Sequence, residues 1–155
     1  MSSLHPALET ALHAIPCGGR HTWRGHAPAT ACIVAKRLRY DGPDSAVCDL
    51  LYYPATGRFA VANASGASSS IPLSRVAVPA TLSLALRALG LTRAALAAEL
   101  SVTPMTLGRW LRMESAPKPA TWVGVEAIIT RLLDTSKQSA KKSWKISLTS
   151  RNKML

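Results

Sequence analysis

The amino-acid sequence predicts an α+β protein: a small antiparallel β-meander with one short helix, then an all-α region, then a disordered basic tail. Three observations support this prediction. β-prone runs separated by turn residues occur in the first half, the apolar spacing becomes helical near residue 79, and Lys and Ser dominate after residue 133. At 155 residues the chain is too short for a large multidomain enzyme.

The N-terminal region, residues 1–70, opens with four apolar residues at the spacing of one short helix: Leu4, Leu8, Leu12 and Ile15. Pro16 and the two glycines that follow it end this helix. Three β-prone runs follow, at 29–40, 46–53 and 58–63, and predict the meander. Its role is open, with dimerisation and partner binding as the candidates. A Gly/Ser/Ala-rich stretch over 62–70 predicts a linker or a mobile loop, and we expect a linker at 71–78.

The net charge of +11 favours a polyanionic partner. The tail, residues 134–155, has six Lys or Arg against one acidic residue, a composition typical of disordered basic tails. No apolar run approaches the roughly 20 residues that span a bilayer, and no secretory leader is evident, so we expect a cytoplasmic protein without a membrane partner. Three cysteines, an odd number at irregular spacing, argue against a disulfide scaffold.

The most informative segment, residues 91–112, reads LTRAALAAELSVTPMTLGRWLR. Thr92 and Thr103 are each placed to begin a helix, because a threonine hydroxyl accepts hydrogen bonds from the free N–H groups there. Pro104 suits the first position of the second helix. The two helices are separated by only Ser101 and Val102. A short helix, a tight turn and a second helix in this order are typical of the helix-turn-helix.

The second of these helices has one apolar face, formed by Leu107, Trp110 and Leu111. Met105, Thr106 and Arg109 lie on the other face. A helix of this kind, with a polar exposed face, is the part of a helix-turn-helix that enters the major groove of DNA. An ordinary Ala/Leu-rich helical hairpin would imitate part of the pattern, but not its threonine caps, proline and Arg-Trp pair.

These residues resemble the helix-turn-helix domain of Cro and the lambda-type (XRE-like) repressors, whose usual pattern is LTQxxLAxxLGVSxxTISRWExG. The matching positions are Leu91, Thr92, Leu96, Ala97, Leu100, Val102, Thr106, Arg109 and Trp110. The resemblance implies a domain of four or five helices over 79–133. The sequence departs from the pattern at Ser101, where Gly usually adopts a left-handed turn, at Leu111, and at Gly108, which weakens the helix by about 1 kcal/mol.

The resemblance implies a transcription regulator that reads double-stranded DNA and uses no cofactor. The residues expected to face the bases are Thr103, Met105, Thr106 and Arg109, and those expected to contact phosphates are Arg93, Arg112 and Lys118. A homodimer on an inverted repeat is expected, with either the N-terminal sheet or the helix at 119–133 as its contact surface. Repression is the simplest role, and the compact size is similar to regulators of phages and plasmids that act on their own promoters.

Other functions rest on weaker patterns. The one candidate metal site in the sequence has the pattern C-x3-H-x4-H-x5-C (Cys17, His21, His26 and Cys32), which departs from the closer ligand pairs of structural zinc sites, so we expect no metal. We find no catalytic motif and expect no enzyme. Two alternatives stay open: an antitoxin or inhibitor with autoregulatory DNA binding, and an N-terminal metal- or ligand-sensing unit that the helix-turn-helix directs to DNA.

Overall fold

The computed structural model describes residues 4–16, 19–21, 29–39, 47–63 and 68–153. Its five strands form one antiparallel sheet in which each strand pairs with the next along the chain. One helix precedes the sheet in the sequence, and the other helices follow it. The predicted α+β fold is therefore confirmed. The elements are α1 (Pro6–His13), β1 (Gly19–His21), β2 (Ala29–Leu38), β3 (Cys48–Tyr53), β4 (Arg58–Asn63), β5 (Ser68–Ile71), a short 3-10 helix (Leu73–Arg75), α2 (Ala77–Leu89), α3 (Arg93–Glu99), α4 (Pro104–Leu111) and α5 (Pro119–Lys153).

The sheet has two more strands than the sequence predicts, and both lie at its edges. β1 occurs in a Gly-rich segment and β5 in the Ser-rich stretch expected to be a mobile loop. A strand needs only backbone hydrogen bonds to join a sheet, so neither is visible in side-chain alternation. The expected linker at 71–78 is also packed: Ile71 is 6% exposed and Val76 is fully buried.

Strand β2 contains a β-bulge that presents two basic residues side by side. Ala35 pairs with Leu50 and Leu38 pairs with Cys48, so Lys36 and Arg37 together oppose only Asp49. Arg37 has a left-handed backbone, with φ of 62°, which costs a non-glycine residue about 1–2 kcal/mol. The Arg37 backbone N–H donates to the Asp49 carboxylate at 3.3 Å, which satisfies a donor that the bulge leaves outside the strand pairing.

One apolar core joins the sheet to the helices. It contains residues of α1, of β2 to β5 and of α2 to α5, including the fully buried Leu38, Leu50, Leu82, Leu96 and Leu107. Helix α2 is central to this core because it contacts α1, β2, α4 and α5. The N-terminal region and the helices that follow it are therefore held together by shared burial of apolar side chains.

Helix α5 runs from Pro119 to Lys153 and thus extends into the predicted basic tail, residues 134–155. Neither Gly nor Pro occurs after Gly124, so nothing in that stretch interrupts a helix. The first half of α5 is anchored to the core by Val125, Ile129 and Leu133. At Asp134 the helix also accepts a 3.0 Å hydrogen bond from His5, the residue that caps α1.

No single helix in the described ranges is both long and apolar enough to cross a membrane. Helices α2 and α3 reach that length and composition only when taken together, and they are bent by 106° at the break between them.

We expect Leu38→Ala to lower the free energy of unfolding by about 2–5 kcal/mol, because it removes a fully buried side chain from the shared core. We also expect β3 and α4 to lose hydrogen-exchange protection together as urea is raised, in the wild type and in the variant. Val123→Ala is the control, since Val123 is 67% exposed on α5. Loss of protection in β3 at a lower urea concentration than in α4 would contradict a single core.

Candidate nucleic-acid interface

The turn between α3 and α4 begins with a left-handed serine. Ser101 has φ of 57°, the conformation for which glycine is best suited. The Val102 N–H donates to the Ala97 carbonyl at 3.0 Å and the Ser101 N–H to the Ala98 carbonyl at 3.2 Å, which is the Schellman pattern of helix ends. The turn at which the family usually has Gly is therefore kept here with a strained residue.

Threonine hydroxyls cap both helices, as the sequence predicts. The Thr92 hydroxyl accepts from the Ala95 N–H at 3.1 Å, and the Thr103 hydroxyl accepts from the Thr106 N–H at the same distance. The hydroxyls of Thr103 and Thr106 are also 2.9 Å apart and share a hydrogen bond. The start of α4 is thus held by two bonds from one side chain.

Helix α4 is divided into a buried face and an exposed face. Leu107, Trp110 and Leu111 are at most 6% exposed and pack into the core. Met105 is 64% exposed, Arg109 is exposed and Thr106 is half-buried. The division agrees with the sequence prediction, and it places the side chains expected to face bases on one surface with Thr103, which is exposed just before the helix.

The side chains expected to contact phosphates lie at the ends of the helices. Arg93 is exposed at the first position of α3, and Lys118 is exposed just before α5. Arg112, which follows α4, is half-buried, and its Nε donates to the Glu114 carboxylate at 3.1 Å. Sequence reasoning treated Arg112 only as a phosphate contact and missed this ion pair.

Glu114 connects the end of α4 to the sheet. Its carboxylate lies 3.7 Å from the Arg39 Nε, and the Arg39 backbone N–H donates to the Arg112 carbonyl at 2.8 Å. The Arg112 hydrogen bond, together with the charges of Arg112, Arg39 and Arg109, holds the pKa of Glu114 below its ordinary value of 4.5. No local sequence signal relates Arg39 to Glu114, since the two are far apart in the chain.

The candidate metal site is not assembled by the residues that the structure describes. Cys17 and His26 lie outside the described residues, and the described residues contain no group of three or more His, Cys, Asp or Glu able to hold a metal ion. Cys32 is disulfide-bonded, whereas Cys48 forms no disulfide, so the chain has a single disulfide that the cysteine count did not indicate. An odd count excludes complete pairing but not a single bond between residues that the fold brings together.

The capped helices, the tight turn and the exposed face of α4 define a helix-turn-helix of the kind that binds DNA. Residues 82–128 match the family model of the helix-turn-helix HTH_3. This segment is therefore an XRE-type helix-turn-helix, the class of DNA-binding regulators to which Cro and the lambda-type repressors belong. No curated protein and no solved structure matches the chain.

We expect Ser101→Gly to raise the free energy of unfolding by about 0.5–1 kcal/mol, because glycine adopts the left-handed turn without the steric cost that Ser101 bears. Ser101→Ala is the control, since alanine has the same steric conflict and should give no gain. Urea denaturation of the three proteins measures the effect. Equal stability of the glycine and alanine variants would show that the turn is not strained.

Glu114→Gln should destabilise the protein slightly near neutral pH, and this difference from the wild type should disappear in acid. A carboxyl whose pKa is lowered by folding contributes stability above its unfolded pKa, and this contribution disappears as pH falls through the folded pKa. Urea denaturation from neutral pH to below 4.5 should therefore show the two unfolding free energies converging at the acid end. Glu126→Gln, at an exposed position on α5, is the control. A gap independent of pH would contradict the ion pair.

Proposed function

We propose that this protein is a sequence-specific transcription regulator that binds double-stranded DNA by inserting α4 into the major groove. The observation that supports this most is the division of α4, whose apolar face is anchored in the core while Met105, Thr106 and Arg109 remain outside. Anchoring holds these side chains in fixed positions relative to one another, and sequence readout requires this.

The exposed side chains have the chemistry that base edges require. Arg109 can donate two parallel hydrogen bonds to the acceptors of guanine, and Met105 offers an apolar contact for the methyl group of thymine. Thr103 and Thr106 supply hydroxyls beside them, although both already take part in capping the helix. Arg93, Arg112 and Lys118 would contact phosphates and set the orientation of the domain on the duplex.

A homodimer on an inverted repeat is part of the proposal, because two copies on half-sites about 34 Å apart gain both affinity and specificity. The apolar stripe that suggested the 119–133 helix as a dimer surface is largely used within the chain: Val125 and Ile129 are 4% and 2% exposed. A dimer that used this helix would have to bury other side chains, such as Val123, which is 67% exposed.

Repression is the role that we propose, because occlusion of a promoter requires only DNA binding, whereas activation requires a further contact with polymerase. Control of its own promoter, an origin in a phage or plasmid, and residence in the cytoplasm complete the proposal. They rest on the likeness of the helix-turn-helix to compact regulators of that kind.

Selection of bound sequences from a randomised duplex pool tests the proposal. We expect the wild type to enrich a palindromic consensus, and Arg109→Ala to bind that consensus about 1–3 kcal/mol more weakly with little change on random DNA. Arg131→Ala, which removes an exposed charge from α5, should keep the consensus. Recovery of unenriched DNA by the wild type would contradict sequence-specific binding.

A further inference from the structure

A basic cleft of about 500 Å³ lies between strand β2 and the helices of the DNA-binding domain. Its floor includes apolar side chains of β2 and α4, such as Val34 and Leu111. Its charged lining comes from three elements, β2, α2 and α3, and from the residue after α4: Lys36, Arg37, Arg87, Arg93 and Arg112. The sheet and the helix-turn-helix therefore build this cleft together.

The cleft is positively charged because most of its cations have no acidic partner. Within the described part of the chain, no carboxylate forms an ion pair with Lys36, Arg37, Arg87 or Arg93. Asp49, which lies opposite the bulge, accepts from the backbone N–H of Arg37. Like charges around one concave surface repel each other and are stabilised by an anion.

The bulge in β2 places two of these cations in the cleft. Lys36 and Arg37 are adjacent in the chain, and in a regular strand their side chains would point to opposite faces of the sheet. The bulge removes that alternation, and both residues line the cleft. Arg37 has an unfavourable left-handed backbone here, and such strain is typical of functional positions.

The cleft continues the exposed face of α4. Arg112 follows Arg109 by three residues, which places the two side chains next to each other on the surface at the end of the helix. Arg112 is also joined to the sheet, through its carbonyl to the Arg39 N–H and through Glu114 to the Arg39 side chain. These contacts attach the end of α4 to the sheet that carries Lys36 and Arg37.

We propose that this cleft binds a phosphate of the DNA backbone beside the sequence read by α4, so that the N-terminal sheet is part of the DNA-binding surface. Clustered Arg and Lys side chains are suited to phosphate oxygens, to which they donate charge-assisted hydrogen bonds. The proposal rests on the proposed DNA-binding function and adds Lys36, Arg37 and Arg87, which lie outside the residues predicted from the helix-turn-helix pattern.

Arg37→Gly tests the proposal without damage to the fold, because glycine adopts the left-handed conformation of Arg37 without steric cost. We expect it to bind all duplexes about tenfold more weakly, with an unchanged consensus and a salt slope reduced by about one. Lys36→Ala should behave in the same way. Arg58→Gly is the matched control, since Arg58 is exposed at the opposite end of β3 from the bulge and should bind as the wild type does.

Duplexes with a neutral methylphosphonate at one backbone position locate the phosphate. We expect one position beside the consensus where this change weakens the wild type but not Arg37→Gly, because both remove the same contact. If Arg109→Ala loses specificity while Arg37→Gly and Lys36→Ala bind normally, the cleft proposal is overturned and the proposed function stands. If the wild type has no sequence preference, the result contradicts the proposed function itself. If inorganic phosphate binds in the cleft but no methylphosphonate position weakens DNA binding, the cleft is a site for a free anion and the proposal is overturned.

Discussion

Burial of α2 is the interaction on which the rest of this structure depends. The helix contacts α1, the sheet, α4 and α5, so its removal from water requires all of these elements at once. Thr81, Leu82, Leu84 and Ala85 are among its buried residues, on more of its circumference than one amphipathic stripe would cover. A helix-turn-helix domain and a β-meander thereby become parts of one folded unit.

Polar contacts then set the geometry at the surface of this unit. The Arg39 N–H and the Glu114 carboxylate attach the end of α4 to β2. The Asp49 carboxylate accepts the hydrogen bond from the Arg37 N–H, which the bulge leaves outside the strand pairing. Exposed ion pairs of this kind contribute little to stability. Together with the backbone hydrogen bond from Arg39, they connect α4 to the end of β2 at the surface.

Local hydrogen bonds explain why the helix-turn-helix was predictable. Thr92 and Thr103 cap helices a few residues away, and Gly90 ends α2 in the left-handed conformation that glycine favours. The faces of α4 follow from helical periodicity alone. Strand β5 and the bulge at Arg37 could not be predicted in this way, because both depend on backbone pairing with strands elsewhere in the chain.

The sequence by itself determined the α+β class, three of the five strands, the caps of α3 and α4 and the side chains that α4 exposes, because each depends on residues close together in the chain. Only the tertiary structure decided that the expected linker is packed, that Glu114 joins α4 to the sheet, and that cations from β2, α2, α3 and the end of α4 line one cleft. These features depend on the shared core, whose contacts join residues far apart in sequence and leave no local pattern.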